Sequence, residues 1–388
     1  MAATRTHAGG NPVLCITGTE GPALFGITPR ERLNRQFARE GIAACPDPDQ
    51  AANHDGPVIV VRADAVLDQP LIPALIHKPK LLLLGEGSSD NVPLAAHVRG
   101  RDVQAAVALL GGNKSKSAGL ALNARRPGGL DLKFHKVLRK RETPYALAVS
   151  PADTDAVAWR MFMGTYKGAT DIVTKHLWPV PAFYATRYLA ARGVTPNMVT
   201  GLGAILTGLA FWLFWRGDFG VGLVAAWIMT FLDTVDGKLA RVTLTSSKWG
   251  DIFDHGIDLV HPPFWYVAWA LGLYAVRLGW SPAFFFWVIA GILGGYAVQR
   301  IMEGIAIKWL GLEIHIWRKW DTLFRQVTAR RNPNLILLTL GVLIGRPDWG
   351  LIAVALWTVA CLVLHGLQLM QALAARRGGP LTSWMKQG

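Results

Sequence analysis

Apolar residues fall into two regimes along the chain. Up to about position 150 they come in short runs, at 13–16, 58–61 and 81–84, each of strand length and flanked by Gly, Pro or Asp. Between the first two, Thr28-Pro29-Arg30-Glu31-Arg32-Leu33 opens a helix that runs to about Glu40. Pro29 suits the first helical position, where its missing N–H has no partner to lose, and Gly41 suits the stop. Alternating strand and helix predicts a parallel or mixed sheet. Beyond position 198 the apolar runs lengthen. Membrane spans are predicted at 198–216, 220–242, 250–276, 282–303, 333–346 and 349–374, most near the ~20 residues a helix needs to cross the hydrocarbon core. The fifth is short and is ended by Pro347.

The stretches between these regimes are neither. Residues 156–197 mix Trp159, Phe162, Tyr166, Trp178 and Tyr184 with Lys167, Lys175 and Arg187, and no run is long enough to span. That composition describes an interfacial amphipathic segment, broken in two at Pro179 and Pro181. Residues 111–141 are rich in Gly, Lys and Arg and read as a loop-rich basic face, solvated or near lipid headgroups. Residues 304–331 are too charged to span and are expected at a surface. The expected organisation is a soluble α/β domain over 1–155, the interfacial segment over 156–197, six transmembrane helices over 198–376, and a tail over 377–388. No internal repeat is apparent.

Composition sharpens this picture. A length of 388 residues favours two domains. Charged residues make up 17%, below the ~25% of soluble proteins. The 16 tryptophans suit a membrane interface, where a ring with one apolar and one polar end is at home. A net charge of +14 is compatible with nucleic acid or with an anionic membrane. The long apolar spans favour the membrane, and no zinc or helix-turn-helix pattern supports nucleic acid. Cys15, Cys45 and Cys361 have no metal or disulfide spacing and read as buried or idle thiols. The first residues lack a secretory signal, so the α/β part is expected in the cytoplasm. Lys238, Arg241, Lys248, the basic run over 304–331, Arg376, Arg377 and Lys386 all lie in alternate loops or the tail. Positive charge favours the cytoplasmic side, so both termini are expected there, in the inner membrane.

The chemistry is concentrated in Asp233-Thr-Val-Asp236-Gly237-Lys-Leu-Ala240-Arg241 and, eight residues on, Gly250-Asp-Ile-Phe-Asp254-His-Gly-Ile-Asp258. Asp233 and Asp236 are three apart and Asp254 and Asp258 four apart, so each pair shares one helix face. A short turn joins the two helices, which predicts antiparallel packing and four carboxylates converging at the bilayer edge. Like charges so close raise one another's pKa, and intramembrane carboxylates are costly, so divalent cations are the natural compensation. Hard oxygen ligands suit Mg²⁺ or Mn²⁺, and a metal pair would clamp a pyrophosphate. Gly237 and Ala240 leave room for a nucleotide to approach the backbone, Arg241 can hold phosphate oxygens, and Ser247 offers a hydroxyl.

This stretch resembles the signature of the CDP-alcohol phosphotransferase (phosphatidyltransferase) family, D-x-x-D-G-x-x-A-R followed after a spacer by G-x-x-x-D-x-x-x-D, with every fixed position met. The resemblance covers about 168–376. It implies metal-dependent transfer of a phosphoalcohol group from a CDP-alcohol donor, CDP-diacylglycerol or a CDP-polyol, to an acceptor alcohol, with release of CMP. It further implies that Asp233, Asp236 and Asp254 hold two ions, and that Asp258 joins them and deprotonates the acceptor. Gly237, Ala240, Arg241 and Ser247 would contact the CDP moiety. Thr195-Pro196-Asn197-Met198-Val199-Thr200 looks like the family's entry to the nucleotide pocket and adds Pro196, Asn197 and Thr200. A homodimer is implied as well. The α/β part is distantly similar to the cytidylyltransferase-like domain that some members carry. Its loop Gly18-Thr-Glu-Gly21-Pro-Ala-Leu-Phe-Gly26 is wrong for a triphosphate, and Arg30 stands where a lysine is usual. It is expected to be structural or regulatory; the alternative is a bifunctional enzyme that makes its own CDP-alcohol.

Arg330 and Arg331 read equally as contacts to an anionic acceptor or phosphate and as membrane-side anchors; Lys308 is a further candidate for such a contact but, with Arg318 and Lys319, reads first as a headgroup contact. His255 and His261 read first as packing groups. A cation transporter is the rival class, but transporters usually carry midplane charges and repeated halves.

Overall fold

The computed structural model describes residues 11–86, 91–113, 115, 119–246 and 248–386. The α/β part contains strands β1 (Val13–Thr17), β2 (Ala43–Cys45), β3 (Pro57–Arg62), β4 (Ala65–Leu67), β5 (Leu81–Leu84), β6 (Pro93–Arg99), β7 (Asn123–Arg125), β8 (Phe134–His135), β9 (Lys140–Arg141) and β10 (Ala146–Ala148). Its helices are α1 (Pro29–Arg39), α2 (Pro48–Ala52), α3 (Leu71–His77) and α4 (Val103–Leu110). The main sheet has the order β2-β1-β3-β6-β5-β7 and is mixed: β6 runs antiparallel to β3 and β5, while β1 is parallel to β2 and β3. The apolar run of β3 is buried from Val58 to Val61, because both faces of this central strand are covered. Helix α1 begins as its residues predict. Thr28 accepts the Glu31 N–H at 3.2 Å, Pro29 follows, and Gly41 takes the left-handed conformation beyond the end (φ 78°).

The basic stretch over 111–141 is not a solvated face throughout. Lys140 is buried on β9, where Glu142 and the Gly164 carbonyl (2.6 Å) receive its ammonium. Arg139 pairs with Glu313 of the helical part at 2.7 Å. Carboxylate and carbonyl partners make burial affordable for these cations.

The helical part holds α5 (Thr154–Gly164), α6 (Pro179–Ala191), α7 (Pro196–Arg216), α8 (Phe219–Val242), α9 (Lys248–Ala275), α10 (Pro282–Ile305), α11 (Lys319–Phe324), α12 (Arg331–Leu343) and α13 (Pro347–Arg376). Pro179 does not break a helix. It starts α6, after a π-helical turn over Val173–Leu177, and the interruption falls between α5 and that turn. Proline is tolerated in the first turn, where no backbone hydrogen bond is lost.

Among the described residues four helices are long and apolar enough to cross a membrane: α7, α8, α10 with its extension to Leu310, and α13. Helix α8 is the central one, with 56% of its apolar stretch buried against 28% for α7 and α10. The outward faces of α7, α10 and α13 expose Ile205, Trp287 and Leu356. The predicted spans at 250–276 and 333–346 correspond to α9 and α12, which fall outside that set. Helix α9 carries His261, Pro262 and Pro263 within its apolar half, and α12 has only 13 residues. Pro263 cannot donate to the Leu259 carbonyl four residues before it, and the Tyr296 hydroxyl of α10 donates there instead (2.9 Å).

Close backbone approaches tighten the bundle. A Cβ at Gly272 of α9 would lie 1.9 Å from the Phe214 carbonyl of α7, so only glycine permits that crossing. Trp265 and Trp269 of α9 donate to the Thr207 and Pro347 carbonyls, both at 3.0 Å.

The two parts share an apolar core. Leu24, Phe25, Val66 and Tyr145 of the α/β part pack with Phe162 of α5, Phe183 of α6, and Val235, Leu239 and Val242 of α8. Helix α5 is therefore a packing element as much as an interfacial one.

Candidate active site

Four helices bring the candidate residues together. Asp233 and Asp236 lie one turn apart on α8, Asp258 projects from the first half of α9, Thr200 from α7, and Arg331 is the first residue of α12. Arg331 stands between the two aspartate-bearing helices. Its guanidinium donates to Asp258 Oδ1 and, at 2.5 Å, to Asp233 Oδ2. Asp236 is 3% exposed, and its Oδ2 accepts from the Thr200 hydroxyl at 2.6 Å. The other oxygen, Oδ1, is buried with no hydrogen-bond partner. A buried carboxylate oxygen without a partner is costly, and a cation is the ligand that would repair it.

Asp233, Asp258 and Arg331 border a cleft of about 490 Å³, which Gly237, Lys238 and Arg241 also line; Asp236 and Thr200 share with Asp233 a separate small void. Lys238 is buried; its ammonium lies 3.4 Å from the centre of the Tyr166 ring and 3.4 Å from the Thr165 carbonyl. Thr200 and Pro196 lie at the start of α7, where Thr195 is the N-cap. Pro196, Asn197, Thr200 and Ala240 are not part of the cleft lining; Asn197 is exposed, and Lys308 is exposed outside the cleft. Ser247 lies outside the described residues, as do the side chains of Asp254 and His255. His261 is buried; its Nδ1 lies 2.6 Å from the Ile257 carbonyl and its ring stands edge-on to Trp265.

A second charged group walls the far side. Glu303 of α10 receives Arg330, Arg300 (3.0 Å) and His315 Nε2 (3.0 Å). Burial drives the His315 imidazole down to about 3, with Arg330 and Arg325 opposing its charge and Glu303 favouring it. His315 is therefore neutral at pH 7, and its Nε2–H donates to Glu303. Burial, with Arg330 beside it, likewise holds the Arg325 guanidinium well below its ordinary range, and its Nη1 is buried with no partner. The charged stretch over 304–331 thus turns part of its charge inward. Only Lys308 and Lys319 among its predicted headgroup contacts remain exposed, and Arg318 is tied to Asp321 and Gln371. The start of α12 is anchored by Asn332, which donates to Asp171 at 3.0 Å.

Several cleft residues have no sequence pattern of their own. Arg139, Lys167 and Asp171 reach it from outside the signature, and only the fold brings them there. Lys238 lies within the signature at one of its variable positions. Its burial against the Tyr166 ring and the Thr165 carbonyl comes from packing with the residues after α5, which the register of α8 does not signal.

Asp233, Asp236 and Asp258 supply hard oxygens, a guanidinium already sits between two of them, and the buried Oδ1 of Asp236 lacks a partner. That donor chemistry fits a divalent cation of the Mg²⁺ or Mn²⁺ class. Among the described residues no three acidic, His or Cys side chains are gathered tightly enough to hold an ion by themselves.

Residues 193–329 match the model of the CDP-alcohol phosphatidyltransferase family. Similar proteins include a phosphatidylinositol phosphate synthase of Streptomyces avermitilis, 36% identical over 96 residues, which are 24% of this chain and 37% of that protein. An archaetidylinositol phosphate synthase of Pyrococcus horikoshii is 41% identical over 71 residues, 18% of this chain and 37% of that protein. Cholinephosphotransferase 1 of Gallus gallus is 30% identical over 135 residues, 32% and 38% of the two chains. The chain thus spans less than two fifths of the length of each of these relatives.

Proposed function

We propose that the chain, whose residues 193–329 match the CDP-alcohol phosphatidyltransferase family, transfers a phosphoalcohol group from a CDP-alcohol to an acceptor alcohol. The observation that carries this reading is the meeting of Asp233 and Asp258 over a basic cleft, with Arg331 bridging α8 and α9 and Asp236 buried one turn along α8 from Asp233. Asp233, Asp236, Asp254 and Asp258 would hold two divalent ions. When bound, these would neutralise the donor's pyrophosphate and the departing phosphate.

The chain's own residues do the rest. Gly237 leaves the cleft wall open to the nucleotide, and Arg241 and Lys238 offer positive charge to its phosphates. Asp258 takes the proton from the acceptor hydroxyl. The acceptor oxygen bonds to the β-phosphorus as the bond from that phosphorus to the bridging oxygen breaks, and CMP departs with the bridging oxygen. Arg331 then has a phosphate or carboxylate to hold in exchange for Asp258. With Arg325 and Arg330 nearby, an anionic acceptor such as a phosphorylated polyol suits the far wall. The relatives named for phosphorylated inositol products favour the same choice.

In this reading α9 and α12 complete a six-span bundle. Helix α9 is about 42 Å long at 1.5 Å per residue, enough to cross. The cleft and both termini face the cytoplasm at the inner membrane, and the protein is a homodimer. The α/β part is structural. Leu24 and Phe25, from the loop where a cytidylyltransferase would hold triphosphate, are buried in the shared core, with Phe25 edge-on to Phe183.

Purified protein in nanodiscs, given CDP-diacylglycerol, Mg²⁺ and inositol phosphate, glycerol phosphate or inositol in parallel, is expected to form one new phosphodiester lipid and CMP by mass spectrometry. Given CTP and polyol phosphates it is expected to release no pyrophosphate. No CMP from any CDP-alcohol and acceptor would remove the assignment.

A further inference from the structure

The end of α8 is held in an unusual way. After Val242 the chain closes with the Thr245 N–H on the Ala240 carbonyl (3.0 Å) and the Leu244 N–H on the Arg241 carbonyl (3.4 Å). This is the Schellman arrangement, whose left-handed residue is usually glycine. Here that residue is Leu244, at φ 55°. A branched side chain in this region costs about 1–2 kcal/mol, and such strain persists only where surroundings over-determine it.

The surroundings are three arginines of α1, at positions 32, 35 and 39, on one face of that helix. Arg32 donates to the Val242 carbonyl, Arg35 to the Thr243 carbonyl (2.7 Å), and Arg39 to the Leu244 carbonyl (2.6 Å). Arg39 also reaches the Ser246 hydroxyl at 3.4 Å. The two carbonyls closed by the chain itself and the three closed by arginines account for every residue from Ala240 to Leu244. Cations also suit the negative end of a helix dipole. Arg32 is 4% exposed, and burial pushes its guanidinium down to about 10, so this contact is a desolvated one.

We infer that Arg32, Arg35 and Arg39 are positioning residues: through them the α/β part sets the α8–α9 turn and hence the alignment of the donor-binding end of the cleft. The clamp begins one residue beyond Arg241. The turn it fixes leads into α9, which carries Asp258. A domain outside the family's matched region is thereby tied to the active site through backbone carbonyls, which no side-chain motif advertises. The inference rests on the CDP-alcohol reading for its ligand but not for its geometry.

The test compares wild type, the Arg35→Ala/Arg39→Ala double variant, and the same double variant with Leu244→Gly. Arg32 is spared because its burial makes loss of folding the expected outcome. Two quantities are read: hydrogen exchange of the peptide covering 243–246, and affinity for CDP in Mg²⁺ by calorimetry. The double variant is expected to exchange at least about tenfold faster and to bind CDP about tenfold more weakly. Leu244→Gly, which adopts the left-handed conformation without strain, is expected to restore most of the affinity. Unchanged exchange, faster exchange with wild-type affinity, or no rescue by Leu244→Gly would each overturn the inference. Wild-type protein that fails to bind CDP would instead remove the donor assignment and leave the exchange result to judge the clamp.

Discussion

Arg331 holds two carboxylates from different helices on one guanidinium, while its own Nε is buried without a partner. It is the counter-charge that keeps Asp233 and Asp258 close when no other cation does so. Two carboxylates a few ångströms apart otherwise repel, and removing one partner of a buried ion pair is more damaging than never having had it. Arg331→Met should therefore lower thermal stability most in EDTA, and added Mn²⁺ should recover more degrees of melting temperature in the variant than in wild type. Differential scanning fluorimetry in detergent checks this. Equal stabilisation of both proteins by Mn²⁺ would show that Arg331 and the cation do not share a place. The approach of Asp233 and Asp258 was legible from the signature spacing, because two helices joined by a short turn bring their facing side chains together. The role of Arg331 was not. Its side chain was equally compatible with a membrane anchor until α12 was placed against α8 and α9.

At the scale of elements, the segment between α10 and α12 behaves unlike its composition. Its charge density argues for a surface, yet His315 and Asp321 are buried, held by Glu303 and by Arg318 with Gln368. Charge patterning reports which residues avoid lipid but not which find a partner inside. The buried His315 makes this wall of the cleft sensitive to acid. Its imidazole is held at about 3 when folded and returns to 6.5 when unfolded. Between those values the unfolded chain binds a proton the folded chain refuses. The stability contribution is thus complete above pH 6.5 and is lost as pH falls, by at most about 1.4 kcal/mol per pH unit. His315→Gln, which keeps a donor for Glu303, should lose less melting temperature than wild type between pH 7.5 and 5. Parallel losses would place the acid sensitivity elsewhere. Element boundaries were read more closely than element fates. The first strands and α1 fell where their flanking Gly and Pro residues put them. Pro179 was taken for a break and proved to be a start, because a proline in the first turn and one in mid-helix look alike in a local window.

For the whole molecule, the division into an α/β part and an apolar helical part is visible in hydropathy, but their union is not. Phe183 of α6 packs against Phe25 and Phe162, and Val235 and Leu239 of α8 face the same cluster, so the helix that carries Asp233 and Asp236 also packs into the core it shares with the α/β part. Long-range packing of this kind leaves no periodic trace in either segment. The carbonyl clamp from α1 adds a second tie at the end of α8. Both ties serve one arrangement, acidic side chains of α8 and α9 meeting over the cleft. CMP release from CDP-diacylglycerol, titrated with Mg²⁺ after exhaustive EDTA treatment, tests it most directly in wild type and Asp258→Asn side by side. The expected result is no turnover without the ion and saturable recovery in wild type. Asp258→Asn should fall by about 10²-fold or more in turnover, as loss of a general base does, while CDP still binds. Full turnover in EDTA, or an Asp258→Asn protein as active as wild type, would contradict the account.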